Sequence, residues 1–226
     1  MNVKYIKEQN ADGYLPIEKT AEDIYDDIDG EWYLSEDEEG DFSGDNFDYN
    51  ITFGNEKIVF IKAGAGGSER GYEDKYIKMA ERIHERIGAT VITASNPIDP
   101  ICDAPDAEEI YWVVNRMGFE KFELYLVGVS DGAYLNLELA RRFPETVKWI
   151  GINPSFVERS ELEEKLKALS NVFKLMIYGT KDDDFDEIIP ALQEINCDNF
   201  ALKFVEGADH RFTNMLDEFV ALADRI

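Results

Sequence analysis

Short apolar runs alternate along this chain with longer stretches in which apolar residues return every three or four positions. The runs read as buried strands: 57–61, 90–93, 124–127, 148–152, 173–178 and 200–205. Between them, Tyr76, Met79, Ala80, Ile83 and Ile87 share one helical face that closes at Gly88. Ile110, Val113, Val114 and Met117 mark a helix over 106–117, and Ala133, Leu137 and Ala140 mark one over 133–143 that Pro144 stops. Ser160 and Glu163 have the spacing of a capping box opening a short helix with Leu162, Leu166 and Leu169. Two more helices are predicted over 185–195 and 213–226, the second carrying Leu216, Phe219, Val220 and Ala223 inward. Upstream the period changes to two: Phe47, Tyr49, Ile51 and Phe53 alternate with polar residues, as in a half-buried strand.

Strands alternating with helices imply a mostly parallel sheet covered on both faces. Reactive groups in such sheets gather at the carboxyl ends of the strands. The expected organisation is one α/β domain over 1–226, with antiparallel edge strands in 1–55 and an alternating strand–helix core in 56–226. At 226 residues and 44% apolar content the chain has enough material for one sizeable core. No apolar run is long enough to span a membrane, and the first ten residues lack the apolar stretch of a signal peptide. Cys102 and Cys197 are too few for a disulfide framework or a zinc site, so a cytoplasmic location is expected. A net charge of −25 argues against nucleic acid as a partner. Much of that charge lies in 22–48, which holds many acids and no Lys or Arg. Asp27, Asp29, Gly30 and Glu36 fit part of a calcium-loop spacing, but Tyr25 stands where the first carboxylate belongs, so a solvated acidic face is expected.

The chemistry concentrates around Gly128-Val129-Ser130-Asp131-Gly132, a G-x-S-x-G string between a strand and a helix. A sharp turn there lifts the serine hydroxyl clear of the sheet. A serine needs a base. His84 lies within a helix, whereas His210 follows the last strand, at the same sheet edge as Ser130. The histidine needs a carboxylate to fix its tautomer. Asp182, Asp183 and Asp184 follow the preceding strand at that edge, and all three are candidates. The glycine-rich turn 63–68 lacks the Gly-Lys-Ser/Thr ending of a phosphate loop. The G-x-G-x-x-G of a dinucleotide-binding fold is also missing.

The order Ser, Asp, His, each just past a strand end, together with the serine turn and the Gly179-x-x-Asp182 and Gly207-x-x-His210 loops, resembles the α/β-hydrolase fold serine hydrolases. The resemblance covers roughly 56–226. It implies a mostly parallel central sheet with helices on both faces and antiparallel N-terminal strands. It also implies Ser130 as nucleophile, His210 as general base and acid, and Asp182 as the orienting acid with Asp183 in reserve. The oxyanion hole would be the backbone amides of Asp131 and Ala65. The implied activity is cleavage of a small acyl ester through an acyl-enzyme, like a carboxylesterase, with no metal or cofactor. A thioesterase or amidase using the same residues, or a non-catalytic binding protein of this fold, are the alternatives. Only six residues, Pro154 to Arg159, stand where many members insert a lid, and Phe156, Phe185 and Phe212 are candidates for an acyl pocket.

Overall fold

The computed structural model describes residues 2–10, 13–17, 47–97, 104–155 and 159–226. The acidic stretch 22–46, with the calcium-like spacing in it, lies outside the described residues, as do Cys102 and Phe156. Among the described residues, nine strands form one sheet: β1 (Asn2–Asn10), β2 (Gly13–Ile17), β3 (Asp48–Thr52), β4 (Asn55–Lys62), β5 (Ala89–Ala94), β6 (Glu123–Val129), β7 (Thr146–Ile152), β8 (Phe173–Gly179) and β9 (Phe200–Val205). Their order across the sheet is β2-β1-β3-β5-β4-β6-β7-β8-β9. From β5 to β9 every neighbouring pair is parallel. The pairs β2–β1, β1–β3 and β3–β5 are antiparallel, as expected for the N-terminal strands.

Among the described residues the α-helices are α1 (Lys75–Ile87), α2 (Ala104–Met117), α3 (Asp131–Arg142), α4 (Arg159–Ala168), α5 (Phe185–Gln193) and α6 (Leu216–Ala221). Because side chains alternate along a strand, each central strand feeds two cores. Ile58, Phe60, Leu124, Leu126 and Met176 pack under residues of α2, α3, α4 and α5. Val59, Ile61, Val127, Ile150, Leu175 and Ile177 pack under Met79 and Ile83 of α1 and Phe219 of α6. Strands buried on both faces explain why the sequence shows continuous apolar runs there rather than alternation.

Several element boundaries differ from the sequence reading, two of them at positions the sequence had singled out. The last helix starts at Leu216 rather than 213, because Phe212 and Asn214 take positive φ values of 59° and 56° and turn the chain first. Ser160 lies inside α4, which already begins at Arg159, so the Ser160–Glu163 pair does not open that helix. Elsewhere the turns behave as their residues demand: Gly88 caps α1 at φ 66° and returns its N–H to the His84 carbonyl.

The sheet order reverses at its centre. From β4 the chain runs through α1 to β5 on one side, then through α2 to β6 on the other. Such a switch point opens a crevice at the carboxyl ends of the two strands, here β4 and β6.

Candidate active site

Ser130 is the residue between β6 and α3. It holds φ 52° and ψ −126°, a conformation that costs a non-glycine residue about 1–3 kcal/mol. Its surroundings over-determine it. The Ser130 N–H donates to the Ile152 carbonyl of β7, 3.0 Å away. The flanking glycines let backbone segments close on each other. A Cβ on Gly128 would sit 2.3 Å from the Ala133 Cα, and one on Gly132 would sit 2.2 Å from the Ala63 carbonyl oxygen. Neither space exists, so the G-x-S-x-G pattern is a packing requirement of this turn.

The structure brings Ser130, His210 and Asp182 together. His210 Nε2 lies 3.1 Å from Ser130 Oγ, and His210 Nδ1 lies 2.7 Å from Asp182 Oδ2. The Asp182 side chain is 5% exposed and that of His210 43%, so the carboxylate sits at the closed end of the chain and the imidazole at its open end. Asp183 and Asp184 are exposed, and Asp184 precedes α5. His84 is elsewhere, with Nδ1 2.8 Å from the Ala89 carbonyl at the end of α1.

The loop after β4 passes beside the serine: a Cβ on Gly64 would lie 3.1 Å from the Ser130 Cβ. In that loop the Gly66 amide donates to the Asn96 carbonyl and the Gly67 amide to the Gly64 carbonyl, at 2.7 and 2.9 Å. Ala65 lies on the intervening turn. Asp131 is the first residue of α3, where an amide has no carbonyl one turn back to serve. Ala65 and Ser130 both line a cavity of about 420 Å³, together with Tyr72, Lys75, Tyr76 and Arg211.

Two of the aromatic candidates for its wall, Phe212 and Phe185, lie elsewhere. Phe212 is 4% exposed and turns inward onto the ring of Phe219, 5.3 Å between centroids. Phe185 packs on Phe204 of β9 at 5.3 Å. Among the described residues, the tyrosines Tyr72 and Tyr76 supply the aromatic wall of the cavity.

Three residues that the sequence reading passed over shape the site. Asn153 directly follows β7, at φ 42°, and is 1% exposed. Its Nδ2 donates to the Asp209 and His210 carbonyls at 3.1 and 3.0 Å, and its Oδ1 accepts from the Gly179 amide at 2.8 Å. One side chain therefore ties the end of β8, from which the Asp182 loop departs, to the His210 loop. Asp209 Oδ1 accepts from the Arg211 and Thr213 amides at 3.1 and 2.8 Å, bracing the turn around His210. Burial pushes the Asp209 carboxyl up, but the hydrogen bonds from Thr213, Arg211 and Phe212 together outweigh it and hold the group below the ordinary aspartate value. Ser155 places its Oγ 2.9 Å from Ser130 Oγ. All three follow strand ends at the reactive edge, which was the available signal.

No family model matches the chain, and no curated protein sequence matches it. Solved structures do. Est1E from Butyrivibrio proteoclasticus superposes with a TM-score of 0.61 at 13% identity, over 86% of this chain and 96% of that one. An α/β serine hydrolase homologue from Coxiella burnetii gives 0.58 at 16% identity, over 88% of this chain and 97% of that one. An α/β serine hydrolase without a lid from Xanthomonas campestris gives 0.57 at 18% identity, over 80% and 87%. The chain has the α/β-hydrolase fold.

Proposed function

We propose that this protein is a serine hydrolase that cleaves small carboxylic esters through an acyl-enzyme intermediate. The observation that carries the reading is the continuous contact chain Ser130–His210–Asp182, at 3.1 and 2.7 Å. Asp182 accepts the Nδ1 proton of His210, which leaves Nε2 bare and facing the Ser130 hydroxyl. As Ser130 Oγ bonds to the acyl carbon, its proton passes to Nε2 and the carbonyl electron pair moves onto the oxygen. The amides of Asp131 and Ala65 receive that oxyanion; losing one such donor typically costs about 3–4 kcal/mol of transition-state stabilisation. The carbon–oxygen bond to the alcohol then breaks, and the alcohol leaves with the proton from His210. Water repeats the sequence to free the acid and restore Ser130.

The cavity of about 420 Å³ against Ser130 suits a small acyl group. Among the similar folds is an esterase domain from Rhodothermus marinus. The test is hydrolysis of p-nitrophenyl acetate and butyrate by the wild type and by Ser130→Ala. Turnover by the wild type and a loss on the order of 10⁶-fold in the variant is expected. Equal rates for the two proteins would refute it.

A further inference from the structure

The Ser130 oxygen has two hydroxyl-range contacts, and the proton inventory decides what the second one does. A serine hydroxyl owns one proton and accepts through its lone pairs. The 2.7 Å contact of His210 Nδ1 with the Asp182 carboxylate requires the proton on Nδ1, because an ionised carboxylate only accepts. Nε2 of the neutral ring is then an acceptor, so the one proton of Ser130 points at it across 3.1 Å. The remaining contact, 2.9 Å to Ser155 Oγ, has to be filled by the Ser155 proton. Ser155 is thus the donor and Ser130 the acceptor.

Ser155 is held in place for this. Asn153, two residues earlier, is fixed by the hydrogen bond its N–H donates to the Ile177 carbonyl at 2.8 Å and by its three side-chain hydrogen bonds. The Pro154 ring restricts φ, and the Pro154 carbonyl accepts from the buried Tyr178 hydroxyl at 2.8 Å. Burial, followed by the charges of Asp182 and Asp184, pushes the Tyr178 phenol well above its ordinary value.

We propose that Ser155 is a catalytic hydrogen-bond donor to the nucleophile: its hydroxyl stabilises the charge that develops on Ser130 Oγ. The inference rests on the hydrolase reading above. As the Ser130 proton moves to His210, the oxygen gains negative charge and the Ser155 bond becomes charge-assisted, stronger than it is to the neutral hydroxyl. When the acyl-enzyme breaks down, the bond between the acyl carbon and Ser130 Oγ breaks, the electron pair returns to Oγ, and His210 returns its proton there. Ser155 donates to the same oxygen again. Its own proton stays on Ser155 throughout, so no further acid or base is needed.

The experiment is rapid-mixing kinetics on p-nitrophenyl acetate with the wild type, Ser155→Ala and Ser155→Thr, reading the acylation rate, the steady-state kcat and KM, and thermal stability. A hydrogen bond to a charged group is worth roughly 10- to 100-fold in rate. Ser155→Ala is expected to acylate about 10- to 100-fold more slowly with KM and melting temperature little changed. Ser155→Thr, which keeps the hydroxyl, is expected to recover most of the rate. Three results overturn the inference: an alanine variant within about twofold of wild type, an alanine variant that is faster, or a threonine variant as slow as alanine. In each of these the wild type still turns over, so the hydrolase reading stands. A wild type with no turnover overturns both.

Discussion

Replacing Asn153 tests how the fold holds the site together. Its side chain makes three hydrogen bonds at 1% exposure: two donated to the Asp209 and His210 carbonyls and one accepted from the Gly179 amide. In Asn153→Ala the buried Gly179 N–H loses its acceptor, at about 1–3 kcal/mol. The two loop carbonyls are nearer solvent and are re-solvated at about 0.5 kcal/mol each. Alanine also tolerates the φ of 42° less well than asparagine, by about 1 kcal/mol. The sum is roughly 3–5 kcal/mol, which for a chain of this size lowers the melting temperature by on the order of 10 °C. The His210 loop loses its tether in the same step, so kcat/KM is expected to fall about 10- to 100-fold, the scale that a misplacement of about 1 Å brings. Asn153→Asp keeps the acceptor for Gly179 but turns an oxygen toward two carbonyls. It is expected to spare more stability than alanine while losing at least as much activity. Thermal denaturation by circular dichroism and p-nitrophenyl butyrate kinetics read both quantities. An alanine variant that loses less than about 1 kcal/mol and keeps its kcat/KM would refute the tether.

Further expectations follow from the same contacts. Gly132→Ala drives a Cβ to within 2.2 Å of the Ala63 carbonyl oxygen and 2.8 Å of that of Lys62, both backbone. It is expected to abolish soluble, active protein. Gly207→Ala meets nothing within 4 Å and bears only the strain of φ 79°, so it should cost about 1–2 kcal/mol by denaturant titration. Asp182→Asn should lower kcat about 10⁴-fold by presenting the wrong tautomer of His210, whereas Asp183→Asn, at an exposed position, should stay within about twofold. Asp209 is held below its ordinary pKa, so its charged form stabilises the fold at pH values above the unfolded-state value, and that contribution disappears as pH falls through the folded value. A melting-temperature series from pH 7 to 2.5 should therefore show the wild type above Asp209→Asn at neutral pH and the gap closing below about pH 4.

Much of this architecture was legible because the parallel core writes itself in short apolar runs: Ile58 to Ile61 is uninterrupted because β4 feeds a core on each of its faces. The Ser130 turn was legible because its two glycines are forced by backbone approach, and sterics of that kind leave little choice of residue. Asp182 could be separated from Asp183 and Asp184 only by family resemblance, since three adjacent carboxylates look alike until the chain direction after β8 buries one and exposes two. Asn153 and Ser155 were hidden for a different reason. Their roles depend on partners 26 and 57 positions away for Asn153 and 25 positions away for Ser155, and no local pattern encodes such distances. Phe212 misled because a phenylalanine beside a candidate base suggests a pocket wall, but its positive φ turns the ring into the core.

The central claim is that Ser130 is an activated nucleophile. The most direct measurement is mass spectrometry of the protein after exposure to a fluorophosphonate probe, with the modified peptide sequenced. A single covalent adduct on Ser130, absent in Ser130→Ala and strongly slowed in His210→Ala, is the predicted result. An unmodified wild-type protein, or an adduct that persists in Ser130→Ala, would contradict it.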